Sequence, residues 1–352
     1  MSRALRTTLL ALTLGLIGLT AYLTPAASLI TRCLLAALAG LALWFVWRWP
    51  ALEQRLSSQP TAPASDGTVA PSGPSPALRS GRPRGFDLAL GFVTNFFDTL
   101  GIGSFAPTTA ALKFTQRIPD EQIPGTLNVG HALPTLAEAL IFIAAVTVDP
   151  RLLLAMIGAS ILGAWCGAGI VSRLPRRAIQ AGMGAALGVA ALLFIAANLH
   201  WMPIGGNATS FSGARFLIAV GGNLVLGALM TLGIGLYAPC LIMLSMLGLD
   251  PHAAFPIMMG SCAFLMPIGG LRFVRTRRYS APVALGFALG GPPAVLIAAY
   301  LVKSMPLLWL RWLVAGVVLY AAATMLRAAA QRVTSPGETP ACRPAGPEST
   351  AP

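Results

Sequence analysis

The chain has 352 residues, of which 56% are hydrophobic and only 10% charged. A soluble globular domain carries about 25% charged residues, so the composition excludes that class and predicts a polytopic membrane protein. The net charge of +13 would suit nucleic acid, but the arginines fall in short segments between apolar runs. That is the positive-inside pattern, and such loops meet anionic lipid headgroups; no nucleic-acid partner is expected.

In chain order, Ser2-Arg3-Ala4-Leu5-Arg6 precedes an apolar stretch from Thr8 to about Leu23. With Pro25-Ala26-Ala27-Ser28 behind it, this stretch has the form of a signal peptide. A second apolar run, Leu29 to Trp47, follows at once, and a retained helix with a return helix is the preferred reading. Residues 48–85 change character: Ser57 to Gly85 is rich in Pro, Ser, Gly and Ala, ends in Arg79, Arg82 and Arg84, and cannot bury a core. Further apolar blocks cover 86–98 and 99–114, 131–148, 152–171, 178–198, 216–247, 257–271, 281–302 and 306–326. The expected organisation is an N-terminal helical hairpin (1–47), a disordered cytoplasmic loop (48–85), two repeats (86–198 and 199–328) and a disordered tail (329–352).

The repeats are announced by a duplicated phrase. Thr99-Leu-Gly-Ile-Gly-Ser-Phe-Ala-Pro107 returns as Thr231-Leu-Gly-Ile-Gly-Leu-Tyr-Ala-Pro239, an offset of 132. Gly/Pro-interrupted apolar segments in matching places of two halves point to a transporter's binding site. Basic residues then set sidedness. Segment 48–85, Arg173/Arg176/Arg177, Arg272/Arg275/Arg277/Arg278 and the C-terminal end should share the cytoplasmic face, leaving Arg32, Arg151, Arg215, Lys303 and Arg311 opposite. Both termini are then cytoplasmic, in the inner membrane. Two crossings, 131–148 and 152–171, lie between Arg84 and Arg173. Parity therefore requires 86–114 to return to the side from which it came, broken at Gly101-Ile-Gly103, and 216–247 to do the same from the other side. The predicted fold is all-α, with inverted-topology helical repeats.

A broken helix in a bilayer must face protein or water, and its restarted N-terminus offers free N–H groups and partial positive charge. Two such ends meeting near the midplane would hold a small anion. The candidate substrate-binding residues are Thr99, Gly101, Gly103, Ser104, Thr108 and Asn128 in the first half, with Thr231, Gly233, Gly235, Tyr237 and Ser261 in the second. The glycines would let backbone approach a ligand, although tight helix crossing would use them as well. The hydroxyls would donate to an oxyanion, or bond back to their own helix.

Asp98, His131 and Glu138 are the candidates for proton coupling. Glu138 lies deep in an apolar run, where a carboxylate is a functional hypothesis by default. His131 stands seven residues before it, on nearly the same helix face, and would otherwise be an interfacial residue at a helix start. Asp98 adjoins the first break within four extra residues between Gly91 and Thr99, relative to Gly227–Thr231. Cys33, Cys166, Cys240, Cys262 and Cys342 form no CxxC pair, so no metal or disulfide role is expected. No GxSxG, HExxH or P-loop motif occurs, and the chain is read as neither an enzyme nor a cofactor binder.

At these residues the sequence resembles the TauE/SafE family of sulfite exporters and related anion permeases. The features that carry the likeness are Gly101-Ile-Gly103 leading to Pro107, Gly233-Ile-Gly235 leading to Pro239, and the small cluster Gly260-Ser261-Cys262. The resemblance extends over about residues 86–328, outside the first two helices. It implies export of sulfite, a sulfonate or a similar small anion, without enzymatic activity. The other readings are a non-transporting membrane scaffold or subunit, and an anion channel. Oligomeric state is left open.

Overall fold

Long apolar runs satisfy their backbone polar groups internally when they become helices, and that is what this chain builds. The computed structural model describes residues 3–23, 28–57, 82–119, 122–170, 206–230, 235–304 and 307–330, with scattered positions between 181 and 199. Among these residues the only β-type pairing is an isolated bridge between Ala208 and Leu249. The helices are α1 (Arg3–Leu23), α2 (Leu29–Ser57), α3 (Gly85–Thr99), α4 (Phe105–Phe114), α5 (Ile123–Gly130), α6 (Ala132–Ala145) and α7 (Pro150–Ile170). After these come α8 (Gly213–Met230), α9 (Tyr237–Met246), α10 (Pro251–Arg275), α11 (Ala281–Ser304) and α12 (Leu307–Ala330). Among the described residues five stretches are long and apolar enough to cross a membrane: Leu29–Leu56, Ile123–Ala145, Gly213–Met230, Pro251–Arg275 and Ala281–Leu301.

Two helices begin earlier than expected. The block read from residue 131 starts at Ile123, because the small polar residues before His131 are helical. Thr126 and Asn128 bond back to the carbonyls of Gln122 and Pro124, at 2.7 and 2.8 Å, and so satisfy themselves inside the helix. Pro134 cannot donate to the carbonyl one turn back, and the helix steps at His131 without breaking. The block read from 257 begins at Pro251, where the Asp250 side chain accepts from the His252 N–H and proline occupies the first turn. Helix α2 continues past Trp47 to Ser57. Its end docks on the α10–α11 loop: Trp49 Nε1 donates to Tyr279 Oη at 3.0 Å, Tyr279 donates to Glu53, and Arg277 donates to the Leu56 carbonyl. Burial and the Glu53 carboxylate hold the Tyr279 hydroxyl well above its ordinary range.

The halves pack reciprocally. Helix α3 lies against α11 as α8 lies against α7, and α10 touches α7 while α5 and α6 touch α11. The offset of 132 runs through these contacts without a gap. Gly91, packed on Gly286 and Phe287, corresponds to Asn223, which donates to the Met156 carbonyl; Asn95, beside Gly291, corresponds to Gly227, packed on Ser160. The four-residue insertion expected before Thr99 is therefore absent. Matching Gly91 to Gly227 misled because each crossing places its glycine where the opposing backbone comes closest, one turn apart in the two halves.

Each interrupted segment has ends that meet. Arg117 forms a bidentate ion pair with Asp87, its Nε 3.1 Å from Oδ1 and its Nη2 2.8 Å from Oδ2, so the start of α3 and the chain after α4 are joined. In the second half the Ala208–Leu249 bridge and the bond from Asp250 N to Ala208 O, 2.8 Å, join the chain before α8 to the chain after α9. These junctions lie at opposite ends of the bundle. The first shares its end with residues 276–280, where Ser280 N donates to Thr126 Oγ1 at 2.9 Å. The second adjoins the α6–α7 loop through Asp149 N and Thr209 O, 3.2 Å apart.

Candidate functional site at the helix breaks

The first break is built by glycine geometry and closed by a carboxylate. Gly101 and Gly103 have φ of +93° and +87°, values that L side chains rarely adopt. They turn the chain between Thr99 and Phe105. Asp98 Oδ1 then accepts from the Ser104 N–H at 2.7 Å, occupying a free donor at the start of α4.

The corresponding end of α9 faces it. A Cβ on Gly103 would lie 4.0 Å from the Tyr237 Cβ, and a Cβ on Gly235 would lie 3.8 Å from the Phe105 Cβ. These contacts exchange under the 132-residue offset. Between them is a small cavity of about 20 Å³, walled by Asp98, Gly103, Ser104, Phe105, Thr135, Met230, Gly235, Leu236, Tyr237, Cys262 and Met266. A neighbouring space of about 30 Å³ shares Gly103, Phe105, Gly235 and Tyr237 and reaches Tyr320 and Thr324 on α12. Cys262 sits near the middle of α10, which places the cavity at mid-depth of that helix.

Glu138, fully buried on α6, ties both phrases together. Tyr237 Oη donates to its Oε2 at 2.6 Å, and Thr99 Oγ1 lies 2.8 Å from its Oε1. Thr99 Oγ1 is also 2.8 Å from the Asn95 carbonyl, so one hydroxyl proton faces two acceptors. Behind this, His131 is a core residue and not an interfacial one. Its Nδ1 meets Asn95 Oδ1 at 3.0 Å, its Nε2 meets Thr108 Oγ1 at 3.3 Å, and its ring stacks on Phe287 at 4.9 Å.

The structure thus gathers Asp98, Thr99, Gly103, Ser104, Glu138, Gly235 and Tyr237 around one site, with His131 and Thr108 behind it. Gly101 packs away from the cavity, its nearest prospective contact being Leu241. Asn128 turns back onto its own helix. Ser261 belongs to another cluster, accepting from Asn223 Nδ2 at 3.0 Å and donating to the Ile257 carbonyl at 2.8 Å. Thr231 and Gly233 lie outside the described residues. Sequence reasoning missed Thr135 as a wall residue, whereas Cys262 belongs to the small cluster it had singled out. Thr135 carried a usable signal, since it stands three residues before Glu138 on one helix face.

The comparison with protein families bears on this geometry. A family model described as "Sulfite exporter TauE/SafE" matches residues 1–194, more than half of the chain. The chain belongs to the TauE/SafE family. The match to this exporter family includes the first two helices, which sequence reading had set outside the resemblance; their docking on the α10–α11 loop and on α6 gives that inclusion a structural basis. No curated protein and no solved structure shows a significant match. A TauE/SafE protein with several membrane-capable helices is an integral membrane transporter of small anions.

Proposed function

We propose that the protein is a secondary transporter that exports a small anion, such as sulfite or an organosulfonate, and binds it at mid-depth between the two glycine-interrupted segments. The observation that carries this reading is the reciprocal facing of the duplicated phrases, Gly103 toward Tyr237 and Gly235 toward Phe105, around one cavity. It supports two repeats of opposite orientation, and so do the joined ends of each interrupted segment at opposite ends of the bundle. Helix α3 is about 22 Å long and α4 about 15 Å, short of the roughly 30 Å needed to span. Two arms of the first segment that each stop short of the far face support a re-entrant unit there.

Arg55, Arg84, Arg117, Arg272, Arg275, Arg277 and Arg278 belong to the end that holds the first junction, while Arg151 and Arg215 belong to the other. This supports a cytoplasmic placement of the basic end, in the inner membrane. The anion would take N–H groups and hydroxyls from Gly103, Ser104, Gly235 and Tyr237, with Thr135 beside them. Asp98 and Glu138 would carry the coupled proton, and rocking of one repeat against the other would alternate access.

The test is uptake by proteoliposomes of sulfite, thiosulfate, sulfoacetate and small carboxylates, with and without a pH gradient. Saturable flux of one of these, driven uphill by the gradient, is the expected result. Non-saturating, strictly downhill flux would identify a channel. Intact protein with no flux of any of them would identify a scaffold.

A further inference from the structure

We propose that the Glu138 carboxyl group is an internal stand-in for the transported anion: it holds the hydroxyl donors that the substrate needs and must be neutralised by a proton before the substrate can take them. This rests on the anion-carrier reading above and assigns its coupling step to one residue.

The argument begins with a count of donors and charges. Among the described residues the cavity wall contains no lysine, arginine or histidine, and His131 is held behind it by Asn95 and Thr108. An anion entering the cavity must therefore use neutral donors. Tyr237, a wall residue of both spaces, donates from Oη to Glu138 at 2.6 Å. The Thr99 hydroxyl is engaged by Glu138 Oε1 and the Asn95 carbonyl, and the Ser104 N–H by Asp98. The protein's own carboxyl groups thus occupy the places where an oxyanion would be recognised. With both ionised, a third negative charge would enter a desolvated site that already holds two, an arrangement that low-dielectric surroundings oppose strongly.

A proton on Glu138 removes both obstacles. The protonated Oε1 donates to Thr99 Oγ1, and Thr99 donates to the Asn95 carbonyl, so both 2.8 Å contacts are satisfied by two protons instead of contested by one. Tyr237 Oη is then released to a better acceptor, since charged acceptors form the stronger bonds. The titratable groups facing Glu138 are Asp98 at the first break, Tyr237 on α9 and Cys262 on α10. The cycle balances: one proton binds Glu138, one monoanion binds Tyr237, both leave on the opposite side, and the ionised carboxylate reclaims Tyr237. Proton and anion move together, so export runs on an outward gradient of the anion and not on an inward proton gradient, and the empty carrier returns closed on its own carboxylate.

The experiment uses the full chain in nanodiscs and proteoliposomes with two probes, methanesulfonate, which stays a monoanion throughout, and sulfite, between pH 5.5 and 8.5. Wild-type affinity should fall with rising pH, approaching tenfold per unit once Glu138 ionises. Glu138→Gln should bind with less than twofold change across the range, exchange labelled probe across the membrane, and fail to accumulate it against a gradient when a pH difference is imposed. Tyr237→Phe should weaken binding at every pH by roughly tenfold or more, as loss of a hydrogen bond to a charged group does, and keep the wild-type slope. An unchanged pH profile in Glu138→Gln overturns the proposal while the carrier reading stands. So does a profile flattened by Asp98→Asn, which would move the stand-in to the α4 N-terminus. Absence of binding of either probe by the wild type overturns the carrier reading, and this proposal with it.

Discussion

The duplicated glycines Gly103 and Gly235 follow the same four residues, Thr-Leu-Gly-Ile, but differ in backbone, and substituting each by alanine separates two roles. Gly103 has φ of +87°, and a Cβ there would meet nothing closer than 4.0 Å. Gly103→Ala therefore costs backbone strain without a clash, about 1–2 kcal/mol. Gly235 has no positive φ, and its added Cβ would stand 3.8 Å from Phe105, an ordinary contact. Gly235→Ala should be neutral or stabilise by up to about 1 kcal/mol, through the lower entropy of the unfolded chain. The two variants should differ by about 2 kcal/mol, roughly thirtyfold in the folded-to-unfolded ratio. Reversible unfolding in mixed detergent micelles, followed by tryptophan fluorescence, reads that difference. In the flux assay both should be impaired, Gly235→Ala because its methyl group narrows the shared cavity wall. Equal destabilisation by the two substitutions, or full stability of Gly103→Ala, would refute the argument that the first break is held by positive φ.

Gly163→Ala should destabilise by at least 1–3 kcal/mol in the same assay, because its Cβ would lie 1.8 Å from the Leu224 carbonyl and force α7 from α8; Gly158→Ala, with nothing within 4 Å, should not. Single cysteines at Arg84 and Lys113 should both react with an impermeant maleimide from the cytoplasmic side of oriented vesicles, since Asp87 and Arg117 bring their segments together; labelling from opposite sides would remove the re-entrant geometry. Asp87→Ala should cost about 3–5 kcal/mol in thermal or detergent unfolding, because it leaves the Arg117 charge partly buried without its partner. Tyr279→Phe should cost about 1–3 kcal/mol at neutral pH by orphaning the buried Trp49 N–H. The Tyr279 pKa is raised in the folded state, so its contribution is fully present below the unfolded tyrosine value near 10 and is lost as pH climbs through the folded value. Wild-type melting temperature should accordingly fall more steeply above pH 10 than that of Tyr279→Phe.

Composition and pattern determined the solvent this chain requires, its helical class and the location of its first break, at Gly101 and Gly103. Charge scarcity and apolar runs leave few alternatives in a bilayer, and paired glycines inside such runs can be read without coordinates. That Glu138 needs partners was legible too, because a lone carboxylate among leucines and alanines cannot be buried without them, and it is buried on two hydroxyls. What needed tertiary structure was which polar groups face one another. Asn128 and Ser261 look like cavity residues in sequence, yet each bonds a carbonyl of its own helix, and Ser261 is taken by Asn223 of another helix instead of by the cavity. His131 looks interfacial because it follows Gly130, but the helix runs through it and packing on Phe287 buries it. The meeting of Thr99 and Tyr237 on the two oxygens of Glu138 joins residues far apart in the chain. No local pattern encodes that contact, because it exists only once α3, α6 and α9 are packed and each donor has been denied water.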